Sequence, residues 1–215
     1  MRIGLIVPSS NTVMEPDFHR HFRQSSLVST TRIFLEDVTR EAEIEMLEQE
    51  LPRAVRLIRT TAPEVVVFGC TSAGALANLS HDEGIGRMIA QETGARAITV
   101  LHAVLTQLRG LRPRNVAVFT PYVPDLTDAV ARSIAEDGHV VVKAAGMGIT
   151  KNLEIGQVAP AQIIEFVESQ MSGVDTECIF LSCTNWRAIE AIEALKEKLG
   201  VPVISSNQAA IDAVC

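Results

Sequence analysis

Two cysteines stand at matching places in this chain. Cys70 ends the apolar run Val65-Val66-Val67-Phe68-Gly69 and passes at once into Thr71-Ser72-Ala73-Gly74. Cys183 ends Cys178-Ile179-Phe180-Leu181-Ser182 and passes into Thr184-Asn185, 113 residues later. A short, continuous apolar run that stops at a thiol reads as a buried strand delivering that thiol to a loop. Two thiols on opposite walls of one cleft reach both faces of a planar ligand, so one can attack a carbon or remove a proton while the other supplies a proton. Each cysteine also precedes an expected helix start, where free amides and the helix dipole would lower its pKa and bind a carboxylate. The plainer alternative is a buried cysteine that only packs. That alternative suits Cys178, inside its run, and Cys215 at the terminus. The repeated position, the polar loop after each and the shared Cys-Thr favour chemistry for Cys70 and Cys183.

The elements around them repeat at the same interval. Ile3-Gly4-Leu5-Ile6-Val7-Pro8 aligns with Val116-Ala117-Val118-Phe119-Thr120-Pro121 at the 113-residue offset, and Ala97-Ile98-Thr99-Val100 answers Pro202-Val203-Ile204-Ser205 at a slightly shorter one. Such self-similarity marks an internal duplication. Strands are expected over residues 2–7, 30–35, 65–70, 97–100, 115–120, 139–145, 178–183 and 201–205. Between them lie helical stretches: 14–22; 41–59, with Ile44, Leu47, Leu51, Val55 and Ile58 on its apolar side and a kink at Pro52; one after Cys70 interrupted by Gly84 and Gly86; one through Leu108; one opened by Pro160; 187–199, closed by Gly200; and a last one capped by Asn207. Glu41, Glu43 and Glu45 read as a solvated face. Alternating strands and helices predict an α/β protein: two similar lobes, each a parallel sheet of roughly four strands flanked by helices, related by a pseudo-twofold axis with the site in the cleft between them. The lobes are expected at 1–101 plus 206–215, and at 102–205.

Ligands of open parallel sheets sit at the carboxyl ends of strands. There the chain offers Pro8-Ser9-Ser10-Asn11-Thr12, whose ordinary role is a helix N-cap. It also offers the loop carrying Tyr122, and Gly146 through Asn152, a loop expected to leave amides free for a ligand. No glycine-rich nucleotide fingerprint follows either opening strand. No Cys-x-x-Cys or His-x-x-x-His pattern supports a metal. The five histidines follow no repeat and read as structural or surface residues.

The 215 residues are 47% hydrophobic, 21% charged and only 4% aromatic, enough for a substantial aliphatic core. A net charge of −7 without a basic run argues against nucleic acid and anionic membranes. The start of the chain reads as neither signal peptide nor membrane span, so a cytoplasmic setting with free thiols is expected.

Gly4-Leu5-Ile6-Val7-Pro8-Ser9-Ser10-Asn11-Thr12, Gly69-Cys70-Thr71-Ser72-Ala73-Gly74 and Ser182-Cys183-Thr184-Asn185 together resemble the aspartate/glutamate racemase superfamily, closest to its branch of maleate cis-trans isomerases and arylmalonate decarboxylases. The resemblance runs over nearly the whole chain and implies two α/β lobes around a cofactor-free cleft. It makes Cys70 the nucleophile and Cys183 the partner acid/base. It places Asn11, Tyr122 and Asn152 among the carboxylate- and intermediate-binding residues; Ser9 and the residues after the two cysteines, Thr71, Ser72, Thr184 and Asn185, are expected to add donors of their own. Arylmalonate decarboxylases keep only the second cysteine, so Cys70 speaks against decarboxylation. Glutamate racemases carry histidine where Asn185 stands. The family's longer closing helix is cut short here at Cys215.

The expected chemistry is cofactor-independent isomerisation of maleate to fumarate by a homo-oligomer. Cys70 adds to one alkene carbon, Cys183 protonates the other, the single bond rotates, and elimination releases the trans diacid. The alternatives are a two-thiol racemase or epimerase of amino acids or hydantoins, and a non-catalytic carboxylate-binding or redox-sensing protein.

Overall fold

The apolar runs do become the strands. The structure, a computed structural model, describes residues 1–22 and 26–215. The first half runs β1 (Arg2–Pro8), α1 (Met14–His21), β2 (Leu27–Ile33), α2 (Arg40–Glu45), a π-helical turn (Met46–Glu50), α3 (Leu51–Arg59), β3 (Val65–Phe68), α4 (Thr71–Gly74), α5 (Leu79–Thr93), β4 (Arg96–Thr99) and α6 (Val100–Leu111). The second half runs β5 (Asn115–Thr120), α7 (Pro124–Glu136), β6 (Val140–Gly146), α8 (Asn152–Gln157), α9 (Pro160–Gln170), β7 (Cys178–Leu181), a 3₁₀ turn (Ile189–Ala191), α10 (Ile192–Leu199), β8 (Val203–Ser205) and α11 (Ser206–Val214).

These strands form two parallel four-stranded sheets, ordered β2-β1-β3-β4 and β6-β5-β7-β8. The duplication extends to the register. Ile3 pairs with Val65 as Val116 pairs with Cys178, each partner shifted by the same 113 residues. Ile3 likewise pairs with Val28 as Val116 pairs with Val141, after which a bulge in β6 shifts the second half by one residue. The outer repeat is also offset by one residue from the sequence alignment: Ala97 corresponds to Val203, not to Pro202, because Val66 pairs with Ala97 as Ile179 pairs with Val203. Thr99 and Ser205 then become equivalent, and each caps the next helix, accepting from the amides of His102 and Gln208. Ser205 therefore takes the capping role expected of Asn207.

The central strands β3 and β7 are buried along their whole length, whereas the edge strand β6 alternates exposed and half-buried residues. Burial on both faces is why the central runs read as continuous apolar blocks. Some boundaries move: β2 begins at Leu27 and ends before Phe34, and the helix expected from Arg187 starts regular winding at Ile192, still closed by Gly200 at φ 71°. Gly84 and Gly86 do not interrupt α5; both lie within one continuous helix, at the ordinary cost of about 1 kcal/mol each.

The 41–59 segment departs most. Leu51 N–H bonds to Met46 O, an i→i+5 closure that takes up one extra residue just ahead of Pro52. The apolar stripe before this turn is therefore advanced by one residue: Glu43 and Met46 face inward where Ile44 and Leu47 were expected, and Ile44 is exposed. Glu41 and Glu45 stay on the surface, but Glu43 is completely buried.

Candidate active site

The ends of strands from both sheets and the segments after them build one small cavity. After β3, Gly69 carries the chain past Met14, whose sulfur would collide with any Cβ at that position, and Cys70 then enters α4. After β7, Ser182 leads to Cys183, which is followed by turns and no helix until the 3₁₀ turn at Ile189. Cys70 and Cys183 are each 5% exposed and line the same cavity of about 10 Å3, the room of a single water molecule. Its other walls are Pro8, Asn11, Leu35, Val38, Glu43, Ser72, Tyr122, Asn152, Thr184 and Asn185. A larger groove of about 720 Å3, among Gln107, Leu111, Ile192 and Asp212, contains no thiol.

Amide and hydroxyl groups lock the walls together. Asn11 does cap α1, its Oδ1 accepting from Val13 and Met14 N–H at 3.0 Å each, and its Nδ2 donates to Thr184 Oγ1 at 3.0 Å. Thr184 Oγ1 donates in turn to Gly69 O at 2.9 Å. Asn185 accepts from Thr12 N–H at 2.8 Å and donates to Asn152 O at 2.6 Å; Asn152 donates to Ser10 Oγ at 2.9 Å. Cys183 N–H donates to Ser206 Oγ at 3.1 Å, and Asn185 N–H donates to Cys183 Sγ at 3.3 Å. Of the residues singled out in the sequence, eight meet here: Cys70, Cys183, Asn11, Ser72, Tyr122, Asn152, Thr184 and Asn185.

Ser9 and Thr71 do not. Ser9 Oγ accepts from Leu35 N–H at 3.1 Å, holding the loop after β2, and the Thr71 hydroxyl bonds that of Ser206 at 2.9 Å. Within the loop after Gly146, the amides of Met147, Gly148 and Ile149 are already used, donating to the carbonyls of Thr120, Tyr122 and Pro121.

The residue that pattern reading missed is Glu43. Its Oε1 accepts from Ser72 Oγ and from Cys70 Sγ at 3.8 Å, while Oε2 has no partner. Burial pushes its carboxyl up to about 8, against the opposing hydrogen bonds from Ser72 and Cys70 and the charge of Arg40. Burial, and after it the nearby Glu43 carboxylate, pushes the Cys70 thiol well up. Burial pushes Cys183 up to about 12 despite a hydrogen bond with Tyr122, and burial raises the Tyr122 phenol as well. The lowered thiol pKa expected from helix starts is thus reversed: α4 is a single turn, no helix follows Cys183 directly, and desolvation outweighs the local amides.

Among the described residues no Lys or Arg lines the cavity; Arg40 points to Asp125 at 2.9 Å and to Leu76 O. No group of three or more His, Cys, Asp or Glu among them could hold a metal ion, and no helix is long and apolar enough to cross a membrane. The cavity can therefore receive an anion through neutral donors, with a protonated thiol on each of two walls.

The family model described as arylmalonate decarboxylase matches residues 3–215. A maleate isomerase from Geobacillus stearothermophilus is 27% identical over 219 residues, spanning 95% of this chain and 86% of that protein. An arylmalonate decarboxylase from Bordetella bronchiseptica is 29% identical over 208 residues, spanning 96% and 86%. The solved structure of a Nocardia farcinica maleate cis-trans isomerase variant with a covalently bound succinylcysteine intermediate has the same fold, with a TM-score of 0.90 at 24% identity over 99% of this chain and 90% of that one.

Proposed function

This chain belongs to the arylmalonate decarboxylase family, and from that premise we propose that it isomerises maleate, or a related cis-enedioic acid, to fumarate through a succinyl-cysteine intermediate. The observation that carries this reading is the pair of thiols on one cavity that also presents the neutral donors Asn11, Tyr122, Asn152 and Asn185. Cys70 Sγ, as thiolate, adds to one alkene carbon. Its electron pair forms the C–S bond, and the π pair moves toward the other carbon and its carboxylate. Cys183, a thiol that burial keeps protonated, gives its proton to that carbon. Rotation about the new single bond and the reverse steps release the trans diacid. Donors such as Asn11, Tyr122 and Asn152 hold the carboxylates and the enolate-like charge; losing one such donor costs roughly a hundredfold or more in rate. The reading carries with it a cytoplasmic, cofactor-independent enzyme that self-associates.

The test is incubation of the protein with maleate, following fumarate by proton NMR and covalent adducts by intact mass. Fumarate together with a succinyl adduct on Cys70 is the expected result, abolished by Cys70→Ala and nearly so by Cys183→Ala. Wild-type activity in Cys70→Ala would refute the covalent route. Solvent deuterium entering a stereocentre of an amino acid or hydantoin would point to the racemase alternative, and carbon dioxide released from an arylmalonate would point to the decarboxylase relatives.

A further inference from the structure

Glu43 is the one acidic side chain among the cavity-lining residues, and it is completely buried with Oε2 unpartnered. A carboxyl in such a place costs stability unless it holds a proton or exchanges one. The groups facing it are Cys70 and Ser72 from the turn after β3, and Tyr122 and Cys183 from the second lobe. On its own helix only Arg40 adds a charge, and Arg40 is held outward by Asp125. Both donors that reach Glu43, Ser72 Oγ–H and Cys70 Sγ–H, converge on Oε1, so the Cys70 proton already points at a carboxylate oxygen.

We propose that Glu43 is the proton acceptor of Cys70, a catalytic residue that takes the thiol proton as sulfur attacks and returns it when sulfur leaves. This rests on the reading of Cys70 as the nucleophile. The S–H bond breaks with its electrons left on sulfur, and an O–H bond forms at Oε1. Once Glu43 has ionised, above about pH 8, the pair carries one negative charge before and after. Charge therefore moves between two adjacent atoms, and no new charge has to be created in a closed, poorly solvated cavity. Ser72, bonded to Oε1 and 3.9 Å from Cys70 Sγ, keeps the carboxyl turned toward the sulfur.

The experiment is alkylation of the full chain with iodoacetamide from about pH 6.5 to about pH 9.5, resolving Cys70 by peptide mass, with exposed Cys215 as the internal reference for reagent and pH. In the wild type the Cys70 rate should level off above pH about 8, where the Glu43 carboxyl has ionised. In Glu43→Gln, which keeps an oxygen acceptor for Ser72, the rate should follow thiol ionisation alone, displaced upward and at least roughly tenfold slower near pH 8. If Glu43 only repels the thiolate, the substitution shifts the profile downward and accelerates alkylation. A faster or unchanged variant overturns the proposal. Should Glu43→Gln fail to fold, the wild-type profile decides alone, since a Cys70 rate still rising tenfold per pH unit at the top of the range overturns it as well. The readout contains no substrate, so a protein inactive on maleate can pass it and an active isomerase can fail it.

Discussion

Glu43, Cys70 and Cys183 share a space with room for one water, and whichever of them gives up its proton leaves a charge that burial opposes. The stability of the fold should register this. Glu43 has an ordinary value of 4.5 and is raised to about 8 in the folded protein. The folded state therefore binds the proton more tightly than the unfolded chain does. The stability that this supplies is complete below about pH 4.5 and is lost progressively as pH rises toward 8. Glu43→Gln removes this dependence. Its melting temperature should match the wild type near pH 4.5 and exceed it at pH 8, by an amount worth a few kcal/mol in thermal or urea unfolding. A variant that is more stable and slower at the same pH is the signature of a carboxyl retained for chemistry. Tyr122 belongs to the same scale. Tyr122→Phe removes the only phenol on the cavity wall, and kcat on maleate should fall roughly a hundredfold, while a loss confined to KM would assign the phenol to binding that ground state and transition state share.

At the scale of elements, the π turn of Met46–Glu50 decides which face of its helix enters the site. It also explains what the sequence did and did not disclose. Strands β3 and β7 were legible because burial on both faces leaves uninterrupted apolar runs, and the duplication was legible because two such runs end in Cys-Thr at one interval. Eight of the ten candidate site residues meet at the cavity because strand ends in a parallel sheet all open on one edge. Glu43 was hidden because the helical period, applied without the extra residue, turns Ile44 inward and Glu43 out. Ser9 and Thr71 were over-read because a polar residue beside a motif does not reveal where its side chain points; both hold backbone or a neighbouring hydroxyl. Deleting the exposed Gln49 should remove the extra residue and straighten the turn with Glu43 seven and Met46 four residues ahead of Leu51, the ordinary helical spacing, so that Glu43 stays turned toward Cys70. That variant should fold and keep the wild-type pH profile of Cys70 alkylation. A profile displaced upward as in Glu43→Gln would mean that the widened turn itself, and not the helical phase alone, sets the position of Glu43.

At the scale of the whole molecule, the four-carbon diacid proposed as substrate exceeds the cavity as it stands, so on that proposal its walls part to admit it. The weakest seam is where the loop after β2 meets the loop before α8. Val38 N–H donates to Thr150 O at 2.7 Å and Asn152 N–H donates to Glu36 O at 3.0 Å, forming a short antiparallel bridge between Asp37 and Lys151. Besides these two backbone bonds, Lys151 Nζ reaches Asp37 and Glu36 at 2.9 and 3.3 Å, exposed pairs that contribute little, and Asn152 Nδ2 donates to Ser10 Oγ at 2.9 Å beneath them. Away from the seam the walls are tied through Asn11 to Thr184, Thr184 to Gly69 O and Thr12 N–H to Asn185, alongside the buried sheets. Local opening draws on the regions with the fewest buried contacts. The amides of Val38 and Asn152 should therefore exchange hydrogen together, and faster than those of Val67 and Val118 in the central strands. Saturating succinate, a diacid of the same length without the double bond, should slow both by holding the seam shut. If Val38 and Asn152 were as protected as the central strands in the free protein, the diacid would have to enter by another path, and the loops of 36–38 and 150–152 would be fixed walls of the site.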